Sequence, residues 1–136
     1  MARIPPATPV PSAAKNVVPD PDSTRNPGLV LVTSLVRGGA PPETVEMLAA
    51  SAEGAWLVRT PLLPLSVNGA GDAASALFLA HLLRGERVEE ALSKTASSVY
   101  AVLEETHRAH SREISLIASQ DAIADPPHRF PARRVR

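Results

Sequence analysis

The sequence predicts one α/β domain over residues 28–136, preceded by a proline-rich segment. Three observations lead to this prediction. A short run of apolar and β-branched residues begins at Leu29, which is typical of a strand. Two stretches in the second half of the chain have the apolar pattern of helices. Finally, 44% of the 136 residues are hydrophobic, which is enough for a single core at this length.

Composition excludes several classes of function. Lys+Arg and Asp+Glu number 14 each, so the formal net charge is zero, and we expect neither a nucleic-acid nor a membrane partner. Cysteine is absent, which excludes disulfides, thiolate metal sites and cysteine nucleophiles. No run approaches the roughly 18 apolar residues of a membrane span, and the start has no secretory apolar region. We therefore expect a soluble, cytoplasmic protein.

The first 27 residues contain half of the 14 prolines. Proline removes an amide donor and biases its neighbours toward extended backbone, so a helix or a central strand is excluded there. We expect residues 1–27 to be disordered, the alternative being a polyproline ligand.

Residues 29–33 form the first predicted strand. Their unbroken apolar character is typical of a strand that is covered on both faces in a parallel sheet. Thr33 and Ser34 stand at its carboxyl end, where ligands of open α/β sheets tend to bind. Alternatively, their hydroxyl groups make only local backbone hydrogen bonds.

A hairpin is the favoured interpretation of the next segment. Residues 43–51 fit a helix and a strand equally well, whereas residues 55–60 fit a strand that ends at Pro61. Glu53-Gly54, between the two, is suited to a tight turn.

Two helices and a last strand complete the predicted domain. Residues 73–83 are apolar almost all round, which predicts a buried helix with Gly85 as its carboxyl-terminal cap. A second helix is predicted from Val88 to about residue 107, with one apolar face. Residues 114–118 are predicted to form a short strand, and the arginine-rich tail over residues 121–136 a solvated terminus.

Asn68-Gly69-Ala70-Gly71-Asp72 immediately precedes the first predicted helix. The two glycines permit close approach to backbone amides, and the first turn of a helix offers unpaired amides at the positive end of its dipole. This combination predicts an anion site, with phosphate the obvious ligand and Asp72 an acidic group at its edge. The alternative is an ordinary turn with Asp72 as helix N-cap. Neither a Walker A loop nor a dinucleotide fingerprint is present.

Four segments carry a resemblance to a known family. NGAGDAASALFLAHLL (68–83) resembles the Gly-Thr-Gly-Asp signature of ribokinase-like kinases, with Ala70 where threonine is common. LVLVTSL (29–35), EMLAASAEGAWLVRTPLLP (46–64) and ISLIASQDAIADPPHRF (114–130) resemble, in this order, the carboxyl-terminal part of bacterial pyridoxal kinases. The resemblance implies the carboxyl-terminal portion of a ribokinase-like, Rossmann-like three-layer sandwich.

The resemblance also implies roles for individual residues. Asp72 matches the catalytic base, which accepts the proton of the 5′-hydroxymethyl group of pyridoxal as that group attacks the γ-phosphate of ATP. Gly69, Ala70 and Gly71 match the anion hole. The remaining matches bind nucleotide: Thr33 and Ser34 at the phosphates, and Leu63 at the adenine.

ATP is thus the implied phosphoryl donor and pyridoxal the implied substrate, with Mg²⁺ and a homodimer expected from the family. The chain offers no identifiable metal ligands, because the acidic residues that organise the metal and the pyridine pocket belong to the family's amino-terminal part. Two other interpretations stay open. One is a nucleotide-binding remnant without catalysis, and the other is a different ribokinase-like kinase, such as a hydroxymethylpyrimidine or sugar kinase.

Overall fold

A computed structural model describes residues 28–136, and the predictions for residues 1–27 lie outside the described residues. The elements, in chain order, are β1 (Leu29–Leu35), β2 (Thr44–Ser51), β3 (Gly54–Pro61), α1 (Ala70–Leu83), α2 (Val88–Arg108), α3 (Gln120–Ala124) and β4 (Arg133–Arg134). No helix within this range is long and apolar enough to cross a membrane.

The four strands form one antiparallel sheet in the order β1-β2-β3-β4. The prediction of a parallel sheet around β1 is therefore wrong for the described strands. Only residues 36–43 connect β1 to β2, which is too short for the crossover that parallel neighbours require. The strand is also only partly buried along its length, rather than covered on both faces.

The predicted hairpin is confirmed, with a different turn. Ser51 pairs with Gly54, so the turn residues are Ala52 and Glu53 rather than Glu53 and Gly54. The Glu53 amide donates to the Ser51 hydroxyl oxygen at 3.1 Å, which tightens this turn. Gly54 begins β3 with a φ of +155°, and a Cβ there would lie 2.7 Å from the Arg136 carbonyl oxygen. Glycine is required because the end of the chain passes directly over it.

Helix α1 begins at Ala70, three residues earlier than predicted, and so includes part of the glycine motif. It is also less buried than predicted: Phe78 faces the core, but Leu79 is 56% and Leu83 78% exposed. The Gly85 cap is confirmed. The Gly85 amide donates to the Leu82 carbonyl at 3.0 Å and the following amide to the His81 carbonyl at 3.2 Å, the two bonds of a Schellman motif.

Helix α2 matches its prediction and builds the core with the sheet. Its apolar face buries Leu92 and Ala96 against Ala49 of β2 and Val58 of β3, and Phe78 of α1 closes the cluster. The helices therefore cover one face of the sheet. The strand residues on that face alternate with those on the other, as the pleat requires.

The segment after α2 differs from its prediction. Residues 114 and 115 are irregular and residues 116–118 form turns, in place of the predicted strand, and Ile117 is 85% exposed. The Ser115 amide donates to the Thr106 hydroxyl oxygen at 3.0 Å, which holds this segment against α2 rather than against the sheet.

The four arginines of the tail are exposed, as predicted, but part of the tail also joins the sheet. Its Arg133 and Arg134 pair with Leu57 and Trp56 of β3, and this short strand extends the sheet. The Arg134 guanidinium lies 5.7 Å from the centre of the Trp56 ring and donates to the Glu53 carbonyl at 2.5 Å. A cation–π contact and backbone pairing together order this segment, while its arginine side chains stay exposed.

Candidate functional site

The glycine motif makes a tight turn into α1. Gly69 is the N-cap of the helix and has a φ of +98°, a left-handed conformation that favours glycine. A Cβ at this position would lie 3.3 Å from Cδ1 of Ile114, which is closer than side chains normally approach. Both the backbone conformation and the neighbouring isoleucine therefore favour glycine here.

The first turn of α1 presents unpaired amides. The first bond of the helix is donated by the Ala73 amide to the Gly69 carbonyl at 2.9 Å. The amides of Ala70, Gly71 and Asp72 consequently have no partner within the helix, and they lie at the positive end of its dipole. This arrangement is suited to an anion.

Asp72 is the third residue of α1 and is exposed. The alternative in which it serves as N-cap is wrong, because Gly69 holds that position and no side chain caps the helix. Its carboxylate makes no hydrogen bond or ion pair within residues 28–136. A carboxylate in the first turn interacts favourably with the positive end of the helix dipole and so stabilises the helix. This carboxylate is also available to a ligand.

The end of β1 lies opposite this turn. The pairing of β1 with β2 is irregular between Val32 and Leu35, and Ser34 adopts a φ of +54° in this bulge. Bulges and left-handed residues other than glycine are found more often at functional sites than elsewhere. A Cβ on Gly71 would lie 3.8 Å from Oγ1 of Thr33, so the strand end and the helix start face each other across a narrow space.

One cavity brings together five of the seven predicted site residues. Thr33, Ser34, Leu63, Ala70 and Gly71 all line it, and its volume is about 60 Å³. Gly69 and Asp72 do not line it, although each is the direct neighbour of a residue that does. The cavity thus brings together residues from three separate segments that the sequence prediction had grouped.

The sequence prediction missed the apolar part of this cavity. Its further lining includes Val45 and Met47 of β2, Leu65 of the loop after β3, and Val99, Tyr100 and Leu103 of α2. Val99 and Leu103 belong to the predicted apolar face of α2, a pattern that is equally typical of core residues. The pattern of the sequence does not reveal that the sheet and this part of the helix leave a space between them.

Tyr100 is held in place by an aromatic neighbour. Its ring packs edge-on against Phe130, with 4.9 Å between the ring centres. Burial, together with the nearby Glu104 carboxylate, raises the pKa of the Tyr100 hydroxyl above its usual value. The tyrosine is therefore neutral at the cavity wall and retains its proton.

A buried ion cluster occupies the opposite face of the sheet. Glu46 of β2 is 1% exposed and receives two hydrogen bonds each from Arg37 and Arg59. The hydrogen bonds from Arg37, followed by those from Arg59, lower the pKa of Glu46 to about 2 in spite of its burial. Glu46 is consequently ionised at neutral pH.

The described residues do not form a magnesium site. No carboxylate or histidine lines the cavity, and no group of three Asp, Glu or His side chains within residues 28–136 is arranged to hold an ion. Among the described residues, the side-chain oxygens at or beside the cavity are the Asp72 carboxylate and the hydroxyl groups of Thr33, Ser34, Thr60 and Tyr100, and a single carboxylate does not by itself make a magnesium site.

Comparison with known sequences confirms the resemblance. No protein-family model matches the chain. The pyridoxal kinase PdxY of Rubrobacter xylanophilus is 67% identical over 110 residues, which are 80% of this chain and 38% of the relative. That of Deinococcus radiodurans is 50% identical over 111 residues, 80% of this chain and 37% of the relative. The chain thus spans well under half the length of the relatives it matches.

Comparison with solved structures confirms the fold class. The pyridoxal kinase of Leishmania donovani in complex with ADP and pyridoxine matches with a TM-score of 0.71 and 17% identity, over 84% of this chain and 41% of that structure. The described residues therefore share the fold of the matching part of that structure.

Proposed function

We propose that this chain is the nucleotide- and phosphate-binding part of an ATP-dependent pyridoxal kinase, which transfers the γ-phosphoryl group of ATP to the 5′-hydroxymethyl group of pyridoxal. One observation carries the proposal. Residues of β1, of the loop after β3 and of the start of α1 line one cavity, and the resemblance assigns them to nucleotide and phosphate binding. The relatives that are 67% and 50% identical are named pyridoxal kinases, which supports the same substrate for this chain.

The phosphate end of the proposed site is the space between β1 and α1. The amides of Ala70 and Gly71 donate hydrogen bonds to phosphoryl oxygens there, and the hydroxyl groups of Thr33 and Ser34 lie on the opposite wall. Amides fixed at a helix start need no reorganisation when charge develops on the transferred group, so they stabilise the transition state. Alanine in place of the usual threonine at position 70 removes a hydroxyl but keeps the amide.

Asp72 is the proposed base. Its exposed carboxylate has no partner within the described residues and stands one residue beyond the cavity wall, so it is available to accept the hydroxymethyl proton. In a loose phosphoryl-transfer transition state the attacking oxygen has formed little of its bond to phosphorus, so its proton does not have to be removed early. Orientation of the hydroxyl group therefore contributes more than basicity.

The apolar part of the cavity is the proposed adenine site. Leu63 lies on one side, Val45 and Met47 on the sheet side, and Tyr100 on the helix side. At about 60 Å³ the cavity is much smaller than the roughly 300–1,000 Å³ of a ligand pocket, so its walls have to move apart to admit a planar heteroaromatic ring. The ring then buries apolar area against them, and nothing in this lining carries a charge that would have to be desolvated.

Three further expectations go with the proposal. The roles of the amides, the hydroxyl groups and Asp72 are proposed without magnesium, because the described side chains do not form a site for that ion. The resemblance implies a homodimer, which sedimentation velocity of the purified chain tests. A cytoplasmic location is proposed because ATP is the donor.

A second candidate, a nucleotide-binding chain without catalysis, is favoured by one observation. The cavity lining accounts for binding of a nucleotide rather than of a pyridine ring. The two candidates differ only in turnover.

The deciding experiment measures both properties on the same chain. Formation of pyridoxal 5′-phosphate from ATP and pyridoxal is followed by chromatography, and ADP binding by calorimetry, for the unmodified chain and for Asp72→Asn. Turnover that the variant loses, with ADP binding retained, supports the kinase. Binding without turnover in either chain supports the second candidate, and the absence of both contradicts the proposed function.

A further inference from the structure

The ion cluster around Glu46 has a specific hydrogen-bonding geometry. Arg37 is bidentate: its Nε donates to Oε2 at 2.7 Å and its Nη2 to Oε1 at 3.0 Å. Arg59 directs both Nε and Nη2 at Oε1, at 3.1 and 2.7 Å. Both oxygens of a fully buried carboxylate are thus satisfied, whereas the two arginines remain partly exposed.

Each residue of the cluster is adjacent, or close in sequence, to a residue that lines the cavity. Glu46 lies between Val45 and Met47 on β2, and Arg59 precedes Thr60 on β3. Because side chains alternate along a strand, the cluster sits on one face of the sheet and these cavity residues on the other.

Arg37 connects the cluster to the irregular end of β1. It follows β1 by two residues, in the loop that leaves the bulge at Ser34. Regular pairing of β1 with β2 stops at Val32, and the one pair beyond the bulge joins Leu35 to Glu46 itself. The Arg37 bonds therefore attach the irregular strand end to the same residue of β2 that this last pair uses.

We propose that the Arg37–Glu46–Arg59 cluster positions the Thr33–Ser34 strand end, and thereby sets nucleotide affinity from the opposite face of the sheet. Glu46 and Arg37 are positioning residues, since neither lines the cavity. The link to nucleotide rests on the proposed function. The positioning of the strand end does not.

The test uses Arg37→Ala, because Arg59 still pairs with Glu46 in that variant and the fold is retained. Hydrogen exchange is measured at the amides of residues 33–36 and of β3, together with the Kd for ADP. The variant loses the two charge-assisted hydrogen bonds from Arg37 to Glu46, which are worth about 1.5–3 kcal/mol. This loss corresponds to an increase of roughly tenfold or more in the exchange rate at residues 33–36. We expect a similar rise in the Kd for ADP, with exchange in β3 unchanged and partial recovery in Arg37→Lys.

Arg108→Ala is the matched control. It breaks a 2.6 Å ion pair with Glu105 on the surface of α2, and neither residue lines the cavity. We expect exchange at residues 33–36 and ADP affinity to stay as in the unmodified chain.

Unchanged exchange at residues 33–36 in Arg37→Ala overturns the inference, even if the melting temperature falls, because the cluster is then only a stabilising contact. Faster exchange with an unaltered Kd for ADP overturns the link to affinity. If the unmodified chain binds no ADP, the proposed function fails, and the exchange comparison alone decides whether the cluster holds the strand end.

Discussion

Replacing Gly69 by alanine tests why the motif begins with glycine. An alanine in the left-handed conformation costs about 1–2 kcal/mol, and the reduced freedom of the unfolded chain offsets about 0.4–1 kcal/mol of this. The new Cβ also lies 3.3 Å from Ile114, whose side chain has to move by a few tenths of an ångström. We expect Gly69→Ala to lower the free energy of unfolding by about 1–2 kcal/mol.

Gly85→Ala is a matched control for the contact with Ile114. Gly85 has a φ of +84°, close to that of Gly69, but a Cβ there meets nothing within 4 Å. It therefore carries the conformational cost alone, about 1 kcal/mol after the same offset. The difference between the two variants isolates the Ile114 contact.

Urea denaturation followed by tryptophan fluorescence measures both variants. Trp56 is the single tryptophan of the chain and packs against the core, so its emission reports unfolding. Equal destabilisation at the two positions would refute the role of Ile114. No destabilisation at either position would refute the conformational argument itself.

The remaining predictions concern the cavity, the base and the buried carboxylate. Gly71→Val places a branched side chain opposite Thr33 Oγ1, where a Cβ alone already reaches 3.8 Å, and we expect ADP affinity, by calorimetry, to fall about tenfold while stability changes little. Asp72→Ala should abolish phosphoryl transfer and leave the Kd for ADP within a few-fold; an active variant would rule out its role as base. The pKa of Glu46 is lowered from 4.5 to about 2 by folding, so its contribution to stability is present above pH 4.5 and is lost as the pH falls toward 2. Urea midpoints between pH 6 and pH 3 should fall less steeply in Glu46→Gln than in the unmodified chain, and parallel curves would contradict this assignment.

The features that the sequence predicted correctly are those decided by neighbouring residues. The hairpin follows from two short apolar runs with a small-residue turn, α2 from one periodic face, and the Gly85 cap from a glycine directly after an apolar helix. Five of the seven predicted site residues line one cavity, and the prediction that grouped them rests on local reasons, glycines before a helix and hydroxyl groups after a strand.

The features that the sequence did not predict depend on contacts between distant segments. Residues 114–118 have strand-like composition, yet a hydrogen bond to Thr106 draws them to α2. The tail becomes a strand because Trp56 offers its ring to Arg134, a pairing that neither segment reveals alone. The sequence does not predict the apolar half of the cavity for a similar reason. A valine that lines a cavity and a valine in the core occupy the same positions in the apolar pattern of a helix or strand.

The bulge in β1 has a consequence for how this segment can evolve. In a regular strand, consecutive side chains point to opposite faces, yet Thr33 and Ser34 both line the cavity. The extra residue of the bulge makes this possible. It also determines that Arg37 reaches Glu46 on the other face of the sheet. Point substitutions in this segment alter one side chain at a time. A single insertion or deletion would instead remove a hydroxyl group from the cavity and an arginine from its carboxylate together, so a change in the length of this segment disrupts more contacts than a change in any one residue of it.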